Sequence, residues 1–186
     1  MISGYFPQPE DRPPLCIPPK PYHGPRVDLR DVTLVVIETL LHDLAREAAL
    51  DCVRAADYGE VAIFSDREIK VPDATWHKFA HEQGDREVVS RFVWSNKFLD
   101  RITTKFFQIV HWDSWIVDPA LWTPAFLDYD YIGAPWWHGD GRNVGCGAFA
   151  IRSTRLMRHL VDNADRYPFP IPEDDVLCRK WRPQLE

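Results

Sequence analysis

The pattern that most constrains the fold is a strand, a helix and a second strand near the N-terminus. Val32-Thr33-Leu34-Val35-Val36-Ile37 is rich in β-branched residues and ends in the polar pair Glu38-Thr39, as a buried strand does. Leu40 to Ala56 then carries Leu40, Leu41, Leu44, Ala45, Ala48, Cys52 and Val53 at helical spacing, with an end expected at Asp57-Tyr58-Gly59. Val61-Ala62-Ile63-Phe64 reads as the second strand and is followed by Ser65-Asp66. Such a βαβ unit implies a parallel sheet with a right-handed crossover. Both polar strand ends therefore face one rim, where a nucleotide would lie.

A third apolar run delivers candidate chemistry to that rim. Phe106-Phe107-Gln108-Ile109-Val110 suits a parallel strand covered on both faces, and it breaks off into His111-Trp112-Asp113-Ser114-Trp115. Strand alternation would put His111 and Asp113 on one face, where an imidazole and a carboxylate can hold a divalent cation. On spacing alone the structural reading carries more weight, with Asp113 capping the next turn and His111 a satisfied core histidine.

A length of 186 residues favours one domain over two, and 45% hydrophobic with 27% charged residues is ordinary for a soluble globular chain. The eight Trp are a surplus, and five of them fall between Trp112 and Trp137. Stacking on a sugar or base is one use for them, and core filling is the other. A net charge of −6 supplies no broad basic footprint for nucleic acid. Cys16, Cys52, Cys146 and Cys178 show no CxxC spacing, so neither a zinc site nor a disulfide framework is indicated. With no apolar run long enough for a membrane span and no signal-peptide pattern, the expectation is a cytoplasmic protein with reduced thiols.

Residues 1–26 hold eight of the sixteen prolines and read as an extended arm, either docked or mobile, leaving 27–186 as the folded domain. Residues 69–90 are the least legible. His77 and His81 stand at i and i+4 and would chelate a metal if helical, but no carboxylate joins them, so they are read as surface residues. Ser95 is expected to cap a short helix carrying Phe98, Leu99 and Ile102, and Ser153 another carrying Leu156, Met157, Leu160 and Val161. Pro172 suits the first turn of a last helix through Val176, Leu177 and Trp181.

Three further stretches carry a resemblance. Tyr129-Asp130-Tyr131-Ile132-Gly133-Ala134-Pro135-Trp136 is followed by a loop and by the glycine-bounded Gly145-Cys146-Gly147-Ala148-Phe149-Ala150-Ile151-Arg152-Ser153. Glu173-Asp174 comes later. Together with the Glu38-Thr39 strand end and Gln108 to Ser114, these resemble a family of glycosyltransferase-like domains first described only as of unknown function. That family is similar to nucleotide-sugar transferases of the GT-A fold, and the resemblance covers roughly residues 30 to 180.

The resemblance implies an α/β fold of GT-A type, Rossmann-like, with a mixed and mostly parallel sheet between helices. It implies that Asp113 holds a divalent cation, Mn²⁺ or Mg²⁺, with His111 where an acid usually stands; imidazole suits Mn²⁺ better than Mg²⁺. Thr39 and Asp66 would contact the nucleoside, Arg152 the donor phosphate, and Gly145 and Gly147 would let backbone approach the sugar. Cys146 replaces an amide that the family usually shows. Asp174, or else Glu173, would act as base toward the acceptor in an inverting transfer, whereas a retaining one needs no such base. Acids at a helix start also serve the helix dipole without any catalysis. Trp136, Trp137 and His138 open a loop punctuated by Gly139 and Gly141, composed as a lid or acceptor site, or as packing at the sheet edge.

The expected activity is transfer of a sugar from a nucleotide donor to an acceptor that the residues do not name. The net charge disfavours a nucleic-acid base as that acceptor. The rival expectation is a degenerate nucleotide- or glycan-binding domain, which the His111 and Cys146 departures favour. Metal-dependent phosphoester hydrolysis would need more acids near Asp113.

Overall fold

The strand, helix and strand unit forms the centre of the molecule. A computed structural model describes residues 24–80, 86–169 and 172–185. In it β1 (Val27–Ile37) pairs in parallel with β2 (Ala56–Ser65), and α1 (His42–Ala55) connects them. On the far side of β2 lies a short parallel edge strand, β3 (Thr75–Lys78). On the other side of β1 comes β4 (Phe106–Val110), also parallel. Next are β6 (Val144–Ser153), antiparallel to β4, and β5 (Tyr131–Pro135), antiparallel to β6. The order is β3-β2-β1-β4-β6-β5, a mostly parallel six-stranded sheet.

Both faces of the sheet are covered, as the apolar strands require. Val35, Ala62, Phe64, Phe107 and Ile109 face a core built with Phe98, Leu99, Met157, Leu160 and Trp181. These come from α3 (Asn96–Leu99), α4 (Thr154–Asp162) and the C-terminal helical segment, and α2 (Arg86–Val93) adds Val93. The alternate residues Leu34, Val36, Ile63 and Val110 face α1 through Ala45, Ala48, Ala49 and Cys52. Each large apolar side chain so buried contributes roughly 1.5–3 kcal/mol. The last segment begins as α5 (Glu173–Asp175), widens into π-helical turns over Val176–Trp181 and closes as α6 (Arg182–Leu185).

Two strands are longer than their sequence suggests. Val27 and Leu29 are buried and Asp28 and Arg30 exposed, so β1 starts five residues before the β-branched run. The stretch Asp57-Tyr58-Gly59 is not a helix stop but part of β2, because α1 runs straight into that strand. Gly59 serves a close approach there: a Cβ on it would lie 2.1 Å from the Arg30 carbonyl oxygen, where the β1–β2 register shifts.

His77 lies on β3 rather than on a helix and stacks on Phe64 at 4.8 Å, so the i, i+4 geometry does not arise; His81 lies outside the described residues. The caps fall where expected. Ser95 accepts from the Phe98 N–H and Ser153 from the Leu156 N–H, while Pro172 occupies the cap position, one residue earlier than the first turn. Of the N-terminal arm, residues 1–23 lie outside the described residues. Arg26, at its end, donates to the carbonyls of Val53 and Ala56 and pairs with Asp57 at 3.0 Å. Among the described residues no helix is long and apolar enough to cross a membrane.

Candidate functional site

The strand order reverses between β1 and β4, and the crevice outside the carboxyl ends of those strands is where open α/β sheets bind ligands. At the end of β1, Glu38 turns its carboxylate back onto the chain. Its Oε1 accepts from the N–H groups of Thr39, Leu40 and Leu41, the residues that lead into α1, whose cap residue Leu41 offers no side-chain hydrogen bond. Thr39 is buried beside it. Asp66, beyond the end of β2, is exposed and bonds through Oδ1 to His42 Nε2 at 2.6 Å, which lowers the Asp66 pKa. Thr39 and Asp66 do share the rim, and His42 joins them.

The end of β4 departs from simple alternation. The strand stops at Val110, and residues 111–114 form a turn in which the His111 N–H donates to Ser114 Oγ at 2.9 Å and the Ser114 N–H to the His111 carbonyl at 3.2 Å. His111 and Asp113 are both exposed on this turn, so they share it rather than a strand face. Ser114 Oγ also donates to the Ala148 carbonyl at 3.2 Å, which fixes the turn to β6.

Next to Ala148, β6 meets the acids of the last helical segment. The Gly147 N–H donates to Asp174 Oδ2 at 2.9 Å, and Asp174 Oδ1 accepts from the Asp175 N–H at 2.9 Å. Arg152 is fully buried and donates through Nη2 to Glu173 Oε1 at 2.9 Å; its Nε and Nη1 are buried without a hydrogen-bond partner among the described residues. Its guanidinium therefore addresses Glu173 and the ring of Tyr131, 5.3 Å away, rather than a phosphate at the rim. Arg179 meets Asp175 at 3.4 Å. Of the three consecutive acids, Asp174 alone has no ion-pair partner among the described residues. Burial, and then the neighbouring Glu173, raise its pKa above the ordinary aspartate value, against the two N–H donors.

The glycines of β6 are held to this arrangement. Gly145 has φ +150°, and a Cβ there would lie 2.9 Å from both Cys178 Cβ and the Trp136 ring. Its carbonyl accepts from Tyr131 Oη at 2.8 Å. Cys146 is half-buried between the two glycines. Trp136 thus packs over the strand, whereas Trp137, 88% exposed, points away with its ring 5.4 Å from that of His138. The loop they open is fastened from the helix side. Arg179 donates to Asp140 Oδ2 at 2.6 Å and to the Arg142 carbonyl at 2.6 Å.

Strand ends, turn and helix therefore bring Thr39 and Asp66 to one part of the rim. They bring Asp113, Ser114, Gly147 and Asp174 to the part beside it. Sequence reasoning gave no role to Ser114, His42, Tyr131 or Arg179. Ser114 and Tyr131 stand inside the motifs that carry the resemblance, and Arg179 has i+4 spacing from Asp175. No group of three or more His, Cys, Asp or Glu among the described residues is arranged to hold a metal ion. An apolar cavity of about 290 Å³ is lined by Val27, Leu29, Trp122, Phe149 and Ile151 among others, and none of Glu173, Asp174 and Asp175 lines it.

The family model for a protein of unknown function, DUF5672, matches residues 70–183, more than half of the chain. That span holds the β4 turn, the β5–β6 hairpin and the acids, whereas Thr39, His42 and Asp66 precede it. No curated protein matches. The chain thus belongs to the DUF5672 family.

Proposed function

We propose that this protein transfers a sugar from a nucleotide donor to an acceptor hydroxyl, with Asp174 as the base. One observation carries the reading: of the three consecutive acids Asp174 alone has no ion-pair partner among the described residues, its pKa is raised, and it is hydrogen-bonded to the residue next to the one that anchors the Asp113 turn. A carboxylate whose pKa is raised above the ordinary aspartate value is a better base toward a hydroxyl proton. In an inverting transfer the acceptor oxygen bonds to the anomeric carbon as the bond to the diphosphate oxygen breaks, and Asp174 takes the hydroxyl proton. Glu173, ion-paired with Arg152, raises the Asp174 pKa through its neighbouring charge.

The GT-A reading of the fold belongs to the same proposal. It is supported by the mostly parallel sheet, by the reversal of strand order at the rim and by the motifs on β5 and β6. His111 and Asp113 offer an imidazole and a carboxylate on one exposed turn. That is too few donors for a resident ion, but it fits a divalent cation that arrives with a diphosphate. When bound, such an ion would neutralise charge on the departing diphosphate.

A second reading, a domain that binds a nucleotide or glycan without turnover, is favoured by one observation: both oxygens of Asp174 already accept a backbone N–H. The deciding experiment incubates the purified protein with Mn²⁺ and a panel of nucleotide sugars and measures free nucleoside diphosphate. Slow cleavage of at least one donor is expected, with Asp113→Ala and Asp174→Asn each reducing it about 100-fold or more. Thermal shifts with several donors and no cleavage would instead establish the binding module.

A further inference from the structure

Among the described residues Trp137 is a large apolar side chain left uncovered. It is 88% exposed, while its neighbour Trp136 is packed against Gly145. Its position is nevertheless held. The Trp136 backbone N–H donates to the Asn143 carbonyl, closing the loop, and Arg179 grips Asp140 and the Arg142 carbonyl. The His138 ring is 5.8 Å from that of Trp136 and 5.4 Å from that of Trp137. The result is an open aromatic face on a fastened loop, near the strand whose Gly147 bonds to Asp174.

The surroundings of Trp137 decide what such a face suits. A protein partner needs on the order of 800 Å² per side with an apolar centre, but the loop beyond Trp137 is His138-Gly139-Asp140-Gly141-Arg142-Asn143. A single-stranded nucleic acid needs a basic track beside the stacking rings, whereas here Arg142 is accompanied by Asp140 and the chain carries a net charge of −6. A pyranose ring has an apolar C–H face for an indole and a rim of hydroxyls for imidazole, guanidinium and amide groups.

We infer that Trp137 is the stacking platform of a saccharide subsite, so that the acceptor of the proposed transfer is itself a carbohydrate. The inference depends on the transferase reading only in calling that saccharide an acceptor. Indole N–H signals of the intact protein, with Trp137 assigned through Trp137→Phe, are followed while cellobiose, chitobiose and mannobiose are titrated in without donor. At least one disaccharide is expected to move the Trp137 signal saturably. Its affinity, read in the variants from the ring signals of His138, should drop about three- to tenfold in Trp137→Ala and less in Trp137→Phe. An exposed indole is a safe truncation for folding, and circular dichroism checks this. No movement with any disaccharide overturns the inference, as does movement by a single-stranded oligonucleotide alone. Donor cleavage without a Trp137 response sinks the subsite and leaves the transferase. A Trp137 response without donor cleavage does the reverse.

Discussion

Gly147 and Asp174 are joined by one hydrogen bond and by close packing around it. The Gly147 N–H lies 2.9 Å from Asp174 Oδ2, and a Cβ on Gly147 would stand 3.3 Å from that oxygen and 2.8 Å from Arg152 Nη2. Arg152 is fully buried and tied to Glu173, so its guanidinium cannot swing aside cheaply. Gly147→Ala is therefore expected to destabilise the fold by about 1–3 kcal/mol through overpacking. Urea denaturation measures it, and an unchanged midpoint would mean that the acids move freely.

The raised pKa of Asp174 sets a direction for pH dependence. The base form is the carboxylate, so the acidic limb of donor cleavage should lie above the ordinary aspartate value. Glu173→Gln removes the charge that repels this carboxylate and frees Arg152 to attract it, so the limb should move to lower pH. The linked stability runs the other way. A carboxyl whose pKa is raised on folding stabilises the protein fully below the unfolded value, and that contribution is lost as pH rises through the folded value. In Glu173→Gln this loss should be smaller. A pH–rate profile and denaturation at several pH values check both, and a limb that moves upward would refute the pairing of roles.

Breaking the buried pair from the cation side has a larger cost. Arg152→Met leaves Glu173 and Asp174 partly buried with no guanidinium, and losing one partner of a buried pair costs about 3–5 kcal/mol. The double variant Arg152→Met with Glu173→Gln should regain part of that loss, because it removes the stranded charge. Thermal unfolding of the single and double variants provides the comparison. Equal stability of the two would assign Arg152 to packing alone.

How much of this was legible in the sequence depended on whether neighbours in the chain or in space decided the outcome. The parallel sheet followed from Val32 to Phe64, because β-branched strands around an amphipathic helix depend on local pattern alone. The caps of Ser95 and Ser153 did so too. Gly59 was misread as a helix stop because its reason is the Arg30 carbonyl, more than twenty-five residues away in the chain. His111 and Asp113 were placed by strand alternation, but Ser114 folds the chain back and ends the strand before alternation applies. Arg152 resembled a phosphate ligand by its motif. Its burial against Glu173 comes from two segments that only the folded sheet and helix bring together.

The loop that carries Trp137 depends on a surface ion pair, and that makes its order adjustable. Arg179 holds Asp140 well enough to lower its pKa to about 2, with the Arg179 hydrogen bond the largest cause and the Arg142 N–H next. Both side chains are partly open to solvent, so the pair is sensitive to salt. A carboxyl whose pKa is lowered on folding stabilises above its unfolded value, and that contribution is lost as pH falls through the folded one. The latch should therefore persist through the ordinary carboxylate range and fail only toward pH 2. Asp140→Asn should release the loop at neutral pH, with amide exchange across residues 139–143 rising by about tenfold while that of β4 is unchanged. High salt should produce the same local change in the wild-type protein. Equal exchange in the variant and the wild type would show that the β5–β6 hairpin orders this loop without Arg179.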